Sequence, residues 1–156
     1  MNSKNVFDRL IREGKLKKQK TDVGYLNGLL EAAHRNFEAA DLVRGRVNEA
    51  AFKLLYDGLL QISRAILLLG GYAPDDGEQH KTTFFAAGIL LGEEFDSLIR
   101  TLQKLRIKRN ECVYQPRGII SEKEAEAINR TAREFWKKVR KYLREANPQL
   151  NLFDEF

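Results

Sequence analysis

The chain has 156 residues, of which 43% are hydrophobic and 31% charged, a balance that suits one domain with a core and a solvated surface. Lysine and arginine number 27 against 22 acidic residues, so the formal charge of +5 favours an anionic partner without identifying it. One cysteine and two histidines exclude a disulfide framework and a structural zinc site built by this chain alone, and we expect no metal and no cofactor.

Hydrophobic patterning argues against a membrane protein. The first apolar residues are interleaved with charges, and the longest apolar run, residues 65–69, is far too short to span a bilayer. A single cysteine is typical of a reducing compartment. We therefore expect no signal peptide, no membrane association and a cytoplasmic location.

Apolar residues recur three and four positions apart along most of the chain, which predicts helices. No stretch alternates as a strand would, and the three prolines fall where helices must stop. The fold class is therefore all-α, an antiparallel up-and-down bundle of about five to six helices. The predicted helices cover residues 3–13, 22–44, 48–69, 80–91, 93–113 and 121–146.

The segments between the helices are predicted from their turn and capping residues. Ser3 and Asp22 are expected to cap the first two helices, and Ser121 with Glu124 forms a capping box before the last one. Residues 15–20 are a basic connector, residues 72–79 a polar loop, and Pro116 with Gly118 a turn. The chain thus divides into a single bundle, 1–146, and a tail, 147–156.

Arg109 is the unusual feature of the fifth helix. It interrupts an apolar stripe formed by residues up to two turns away, namely Leu102, Leu105, Cys112 and Val113. A guanidinium that faces a core or an interface is costly unless it is paired or hydrogen-bonded. Two interpretations stay open: a solvated basic helix end, or a cluster of Arg109, Asn110 and Tyr114 placed for phosphate or base contact.

Positive charge concentrates in two stretches of the sequence. Residues 4–20 carry seven basic and two acidic residues, and residues 100–117 carry six and one. Only the second stretch interrupts an apolar face, so we place the predicted nucleic-acid or nucleotide site there, with Arg106 and Lys108 beside Arg109.

Residues 105–116, reading LRIKRNECVYQP, resemble the late-helix motif of HEPN domains. The preceding order is similar too: a long helix at 48–71 containing Tyr56 and Asp57, a short helix opened by His80, and Leu-Leu-Gly at 90–92. The resemblance covers about residues 16–143 and implies a helical bundle that commonly dimerises, with the motif near the dimer cleft. Many HEPN proteins are ribonucleases, often toxins, and others bind nucleotides or pair with small nucleotidyltransferases.

The chain departs from the ribonuclease members of that family at one position. They read Arg-Asn-x-x-x-His, whereas Tyr114 occupies the histidine position here. Tyrosine, with a reference pKa of about 10, is a poor general base at neutral pH, although it hydrogen-bonds and stacks on bases. The departure predicts weak or absent RNA cleavage, with Arg109, Asn110 and Tyr114 as the candidate catalytic residues if any cleavage survives.

Three residues outside the motif complete the candidate binding site. Asp57 and Arg64 lie two turns apart on one side of the third helix, where they either line the cleft and meet Arg109 or are solvated. His80 either caps the start of its helix or approaches the cleft in space. Tyr56 is predicted to be a core residue rather than a ligand contact.

The tail contains the sequence Gln149-Leu150-Asn151-Leu152-Phe153. It resembles the short peptide by which bacterial replication and repair proteins dock on the DNA sliding clamp, and Gln149, Leu150, Leu152 and Phe153 would then contact the clamp. The alternative is that the apolar side chains fold back on the bundle or contact a dimer mate, since an exposed apolar tail is usually buried somewhere.

Three functions of different classes remain open. The first is a HEPN-like homodimer that binds RNA or a nucleotide in a basic cleft without cutting it. The second is a metal-independent ribonuclease toxin that uses Arg109, Asn110 and Tyr114. The third is an interaction protein, which pairs with a nucleotidyltransferase in a toxin–antitoxin system or docks on a sliding clamp. Tyr114 favours the first over the second, and an arginine within a core stripe predicts the homodimer.

Overall fold

The fold is known from a computed structural model, which describes residues 2–115 and 120–156 and is 75% helical. The prediction of an all-α helical bundle is confirmed. A short 3₁₀ turn, Glu93–Phe95, precedes the fifth helix. The six α-helices of the described residues are α1 (Ser3–Arg12), α2 (Val23–Val43), α3 (Asn48–Leu69), α4 (Gln79–Leu91), α5 (Asp96–Tyr114) and α6 (Glu122–Ala146).

Helices α2 and α3 form an antiparallel pair at the centre of the bundle. The Thr21 hydroxyl, just before α2, donates to the Leu68 carbonyl (2.8 Å), and the Asn36 amide donates to the Gln61 side chain (2.8 Å). The two helices therefore run in opposite directions. Helix α3 is buried on most of its surface, as the predicted apolar stripe requires. Helices α4, α5 and α6 pack around it, and Trp136 of α6 is fully buried.

The caps agree with the sequence at two of three predicted positions. Asp22 caps α2, and the capping box of Ser121 and Glu124 opens α6 with hydrogen bonds of 3.1 and 3.2 Å. The prediction for α1 was wrong by one residue, because the Asn2 side chain accepts from the Lys4 amide (3.1 Å). Asparagine and serine cap helices about equally well, so composition does not choose between neighbours.

The bundle also contains a small two-stranded sheet that no alternation in the sequence indicates. Strand β1 (Leu16–Lys18) pairs antiparallel with β2 (Tyr72–Pro74), and Leu16 lies opposite Pro74. A three-residue strand is too short to show alternation, and its partner lies far away in the sequence. The pairing joins the predicted basic connector to the predicted polar loop, and it places both beside the end of α3.

Two further expectations concern the fifth helix and the turn after it. Val113 was predicted to share the apolar stripe, but its side chain is 53% exposed because it lies near the end of α5, beyond the packed part of the helix. The turn predicted at Pro116 and Gly118 lies outside the described residues. Over residues 2–115 and 120–156, no helix combines the length and the apolar character needed to cross a membrane.

Candidate functional site

An open cleft of about 460 Å³ lies between the first turn of α4 and the second half of α5. We call it the His80 cleft. Three basic residues and one histidine lie among its walls. The residues that line it are Asp76, Gly77, Glu78, Gln79, His80, Lys81, Arg106, Arg109 and Asn110.

Helical spacing and one cross-helix contact build this cleft. Arg106, Arg109 and Asn110 are three and four positions apart, so they share one face of α5. The Gln103 amide donates to the Lys81 carbonyl (3.0 Å), which ties that face of α5 to the first turn of α4. The same Gln103 accepts from Nε of Arg106 (2.9 Å) and holds this guanidinium in place.

His80 is positioned by a fully buried tyrosine. The Tyr56 hydroxyl lies 3.0 Å from Nδ1 of His80, and burial raises the pKa of Tyr56 to about 12. Burial, and then the charges of Arg109, Arg64 and Arg106, lower the pKa of His80 below its ordinary 6.5. The imidazole is therefore neutral at neutral pH, and Nε2 is the ring nitrogen that Tyr56 leaves to a ligand.

Arg109 sits over the aromatic ring that positions His80. Its guanidinium carbon lies 5.7 Å from the centre of the Tyr56 ring, a cation–π contact. Within the described part of the chain, no carboxylate oxygen lies within 4.0 Å of this guanidinium. The charge of Arg109 acts on Asp57: burial raises the pKa of Asp57, and the positive charge of Arg109 opposes that rise. Arg109 is thus a half-buried cation without a paired carboxylate among the described residues.

The two predicted residues of α3 have different positions. Asp57 is half-buried and within the field of Arg109, but it is not among the residues that line the His80 cleft, as one of the two interpretations expected it to be. Arg64 lies in the wall of a second cleft, and its charge also reaches His80 and Tyr56. Tyr56 belongs to the core, as predicted, and its hydroxyl serves His80.

The structure does not bring Lys108 and Tyr114 into the cleft. Lys108 points toward α6 and pairs with Glu124 at the start of that helix (3.1 Å). Its amine also lies 4.0 Å from Glu111 on α5. Tyr114 is 85% exposed, since five positions after Arg109 correspond to a rotation of about 140° around a helix. The predicted cluster of arginine, asparagine and tyrosine therefore contains only its first two members in this cleft.

Apart from His80, sequence reasoning missed the part of the site that α4 supplies. Lys81 and Gln103 meet across two helices, and no spacing within either helix signals that contact. The acidic wall residues were missed too. Asp76 accepts from the Thr82 hydroxyl through one oxygen (2.8 Å), while its Oδ1 is buried without a hydrogen-bond partner among the described residues, and Glu78 lies 3.9 Å from Lys81. Besides these carboxylates the cleft offers cationic donors, one neutral imidazole and the exposed amides of Gln79 and Asn110, a set suited to a phosphate and an adjoining base.

The tail packs on the bundle, which is one of the two alternatives considered for it. The Phe153 ring lies between Trp136 (centroids 3.8 Å apart) and His34 (4.5 Å), stacked on both. Its carbonyl accepts from Nε1 of Trp136 (3.2 Å) and Nε of Arg140 (2.9 Å). Leu150 is buried and Leu152 is partly buried against the core, whereas Gln149 is exposed. Clamp docking stays a prediction that requires these apolar side chains to leave the bundle.

Comparison of this chain with protein-family models, with curated proteins and with solved structures found no match. The HEPN resemblance therefore depends on the motif at 105–116 and on the order of the helices. In the described residues, no group of three or more histidine, cysteine, aspartate or glutamate side chains is arranged to hold a metal ion. The chemistry of the His80 cleft is the basis on which a function can be argued.

Proposed function

We propose that this protein is a HEPN-like binding module that holds the phosphate of an RNA nucleotide or of a free nucleotide in the His80 cleft. The observation that carries the proposal is Arg109, a half-buried guanidinium without a carboxylate within 4.0 Å among the described residues. Arg106 and Lys81 add positive charge to the same cleft. A fixed arginine with unused donors is the preferred partner of a phosphate in proteins.

The neutral imidazole of His80 supports the same proposal. The charges of Arg109, Arg64 and Arg106 contribute to its lowered pKa because they repel the protonated imidazole. A bound phosphate would offset that repulsion and raise the pKa of His80, so binding and protonation are coupled and the imidazole's contribution to affinity increases as the pH falls through the pKa of the bound state. Asn110, which is exposed at the edge of the cleft, supplies an amide for the edge of a base.

Arg109→Met tests the proposal, with Arg100→Met as its matched control. Both variants lose one charge from α5, but Arg100 is exposed and lies outside the cleft walls. A charge-assisted hydrogen bond contributes about 1.5–3 kcal/mol, so Arg109→Met should weaken the binding of uridine monophosphate about 10- to 100-fold. Arg100→Met should change it less than about twofold. Equal effects of the two variants would leave only a diffuse charged surface and would refute the proposal.

A second function, metal-independent RNA cleavage, is favoured by the position of His80. A neutral imidazole beside Arg109 meets the requirement that Tyr114 fails, namely a base with a pKa near or below neutrality. His80 would take the proton of a ribose 2′-hydroxyl, the 2′-oxygen would attack phosphorus, and Arg109 would stabilise the added negative charge. The bond between phosphorus and the 5′-oxygen then breaks, and that oxygen takes a proton from water.

This second candidate has a test that the binding proposal does not share. Bulk RNA incubated with the protein and a chelator should be cut by the wild-type chain and by Tyr114→Phe, but not by His80→Gln. An intact RNA that is nevertheless bound would eliminate cleavage and leave binding. Loss of cleavage in Tyr114→Phe with retention in His80→Gln would contradict the role given to His80.

Partners and location complete the proposal. From the HEPN resemblance we include a homodimer and a nucleotidyltransferase partner in a toxin–antitoxin pair, and from the single cysteine a cytoplasmic location. Two exposed apolar side chains, Phe85 on α4 (44%) and Ile107 on α5 (51%), are candidates for the dimer interface. Light scattering at micromolar concentration is expected to give twice the monomer mass, and a monomer would remove the homodimer from the proposal.

A further inference from the structure

A second basic cleft, of about 510 Å³, adjoins the His80 cleft. We call it the Arg64 cleft. Strand β1, the segment after it, the start of α2, the end of α3 and strand β2 all contribute to it. The residues that line it are Lys17, Gln19, Lys20, Asp22, Tyr25, Leu26, Arg64, Leu68, Ala73, Pro74 and Gln79.

The charge of the Arg64 cleft is mostly uncompensated. Lys17, Lys20 and Arg64 face one carboxylate, Asp22, whose oxygen already accepts from the first amides of α2. Lys17 lies 3.8 Å from Asp75, but both side chains are about half exposed, so this pair is readily exchanged for another anion. The cleft therefore attracts a negatively charged ligand of its own.

Arg64 is the buried part of this charge. Its Nε is buried and has no hydrogen-bond partner among the described residues, and no carboxylate there lies within 4.0 Å of the guanidinium. A half-buried cation without a counter-ion loses part of its hydration free energy, and a bound anion compensates for that loss. Arg64 thus repeats, in the second cleft, the situation of Arg109 in the first.

The two clefts are neighbours in space. Gln79 lines both of them, and the charge of Arg64 is close enough to His80 to lower the pKa of that imidazole. The two clefts therefore share Gln79, and basic residues lie on both sides of it, from Lys17 on β1 to Arg106 on α5. A ligand that occupies both clefts must carry negative charge at more than one point.

We propose that the two clefts are successive subsites for one single-stranded polynucleotide, which passes over Gln79 with phosphates near Arg109 and near Arg64. The inference rests on the proposed function and extends it, because a mononucleotide occupies one cleft whereas a strand occupies both. Tyr25, 61% exposed in the wall of the Arg64 cleft, provides a ring on which an unpaired base stacks. A duplex keeps its bases stacked on each other and offers none to this ring.

The test compares a short ligand with a long one. Uridine monophosphate and an oligouridylate of about 12 nucleotides are titrated against the wild-type chain, Arg64→Met and Arg109→Met. Arg64→Met should weaken the oligonucleotide about tenfold and leave the mononucleotide within about twofold, while Arg109→Met weakens both. The slope of log K against log salt for the oligonucleotide should fall by about 0.7 in Arg64→Met, the value for one phosphate contact on a single strand.

Lys17 and Lys18 provide a matched pair that does not depend on a half-buried residue. They are neighbours on β1, so their side chains leave opposite faces of the strand, and only Lys17 lines the cleft. Both are exposed, and neither substitution to glutamine should disturb the fold. Lys17→Gln should weaken the oligonucleotide about three- to fivefold, and Lys18→Gln less than about twofold.

The outcomes separate this inference from the function on which it rests. If Arg109→Met weakens both ligands while Arg64→Met and Lys17→Gln weaken neither, the strand path is wrong and the single cleft stands. If Arg64→Met weakens the mononucleotide as much as the oligonucleotide, the two clefts are one subsite and the strand path is again wrong. No effect of Arg109→Met on either ligand refutes the proposed function itself.

A DNA strand and an RNA duplex complete the set of probes. If oligothymidylate binds as tightly as oligouridylate, the two clefts accept single strands in general. Weaker binding of oligothymidylate assigns them to RNA. A duplex of about 12 base pairs that binds with the same dependence on Arg64 would overturn the single-strand assignment.

Discussion

Removing the Phe153 ring tests whether the tail belongs to the folded bundle. In Phe153→Ala the backbone stays, so the substitution removes the stacking on Trp136 at 3.8 Å and on His34 at 4.5 Å. It also opens a space beside Phe37, whose ring centre lies 6.1 Å from that of Phe153. The substitution therefore acts on an aromatic cluster shared by the tail, α2 and α6.

The size of the effect follows from these contacts. Full burial of a phenylalanine contributes about 1.5–3 kcal/mol and each well-stacked aromatic pair about 0.5–1.5 kcal/mol more. Because the Phe153 ring is only partly buried, we expect a loss of about 2 kcal/mol in the free energy of unfolding. For a domain of this size, that loss lowers Tm by about 4–8 °C.

Thermal unfolding followed by circular dichroism measures this shift, with Gln149→Ala as the control. Gln149 is exposed, and its backbone N–H, which the substitution keeps, is the group that donates to the Asn147 side chain, so Tm should stay within about 2 °C. A wild-type Tm in Phe153→Ala would mean that the tail is detached in solution, as a clamp-docking peptide would be. The same Gln149→Ala protein should then lose capture by a sliding clamp without any change in stability.

Three further predictions follow from buried groups. Lowering the pH from about 7.5 to about 5.5 should decrease the free energy of unfolding, because the depressed pKa of His80 lets the unfolded chain take up the proton first; urea denaturation of His80→Gln should show a smaller decrease. Asp57→Asn should strengthen uridine monophosphate binding about two- to fivefold in a titration, since it removes the negative charge that acts on Arg109; weaker binding would contradict this. Gly58→Ala should destabilise the fold by about 1–2 kcal/mol, because its methyl group meets Phe37, whereas Gly28→Ala, which meets nothing, should stabilise it by up to about 1 kcal/mol in the same denaturation assay.

The helices were predictable because their signals are local. Helix α3 begins at Asn48 and ends at Leu69, as its apolar spacing and the following glycines predicted. The capping box of Ser121 and Glu124 fixed the start of α6 in the same way. Each of these signals lies within a few residues of the feature it predicts.

The second cleft was not predictable because it depends on pairing between distant segments. The basic residues at 4–20 were set aside since they interrupt no apolar face of a helix. The pairing of β1 with β2 brings Lys17 beside Arg64 and Gln79, and strands of three residues carry no sequence pattern that predicts this pairing. The candidate site was therefore proposed on α5 from one charged stretch alone, whereas the fold sets part of the other stretch beside it.

His80 and Tyr114 show the same division between local and distant information. That His80 lies beside Arg109 depends on how α4 packs against α5, and the hydrogen bond from Gln103 to Lys81 is one contact of that packing. The outward position of Tyr114, by contrast, follows from helical geometry alone, because five residues rotate a side chain by about 140° from Arg109. The family motif drew attention to Tyr114, whereas for His80 the sequence left two alternatives open.

The chain has two histidines, and their ring signals test the central claim directly. In a nuclear magnetic resonance titration with uridine monophosphate, the His80 ring should shift and its pKa should rise on binding, because the phosphate offsets the arginine charges. His34 is stacked on Phe153 at the tail, outside the His80 cleft, and its signals should stay in place. A shift confined to His80 would confirm the cleft as the binding site, and a ligand that binds without moving the His80 signals would contradict it.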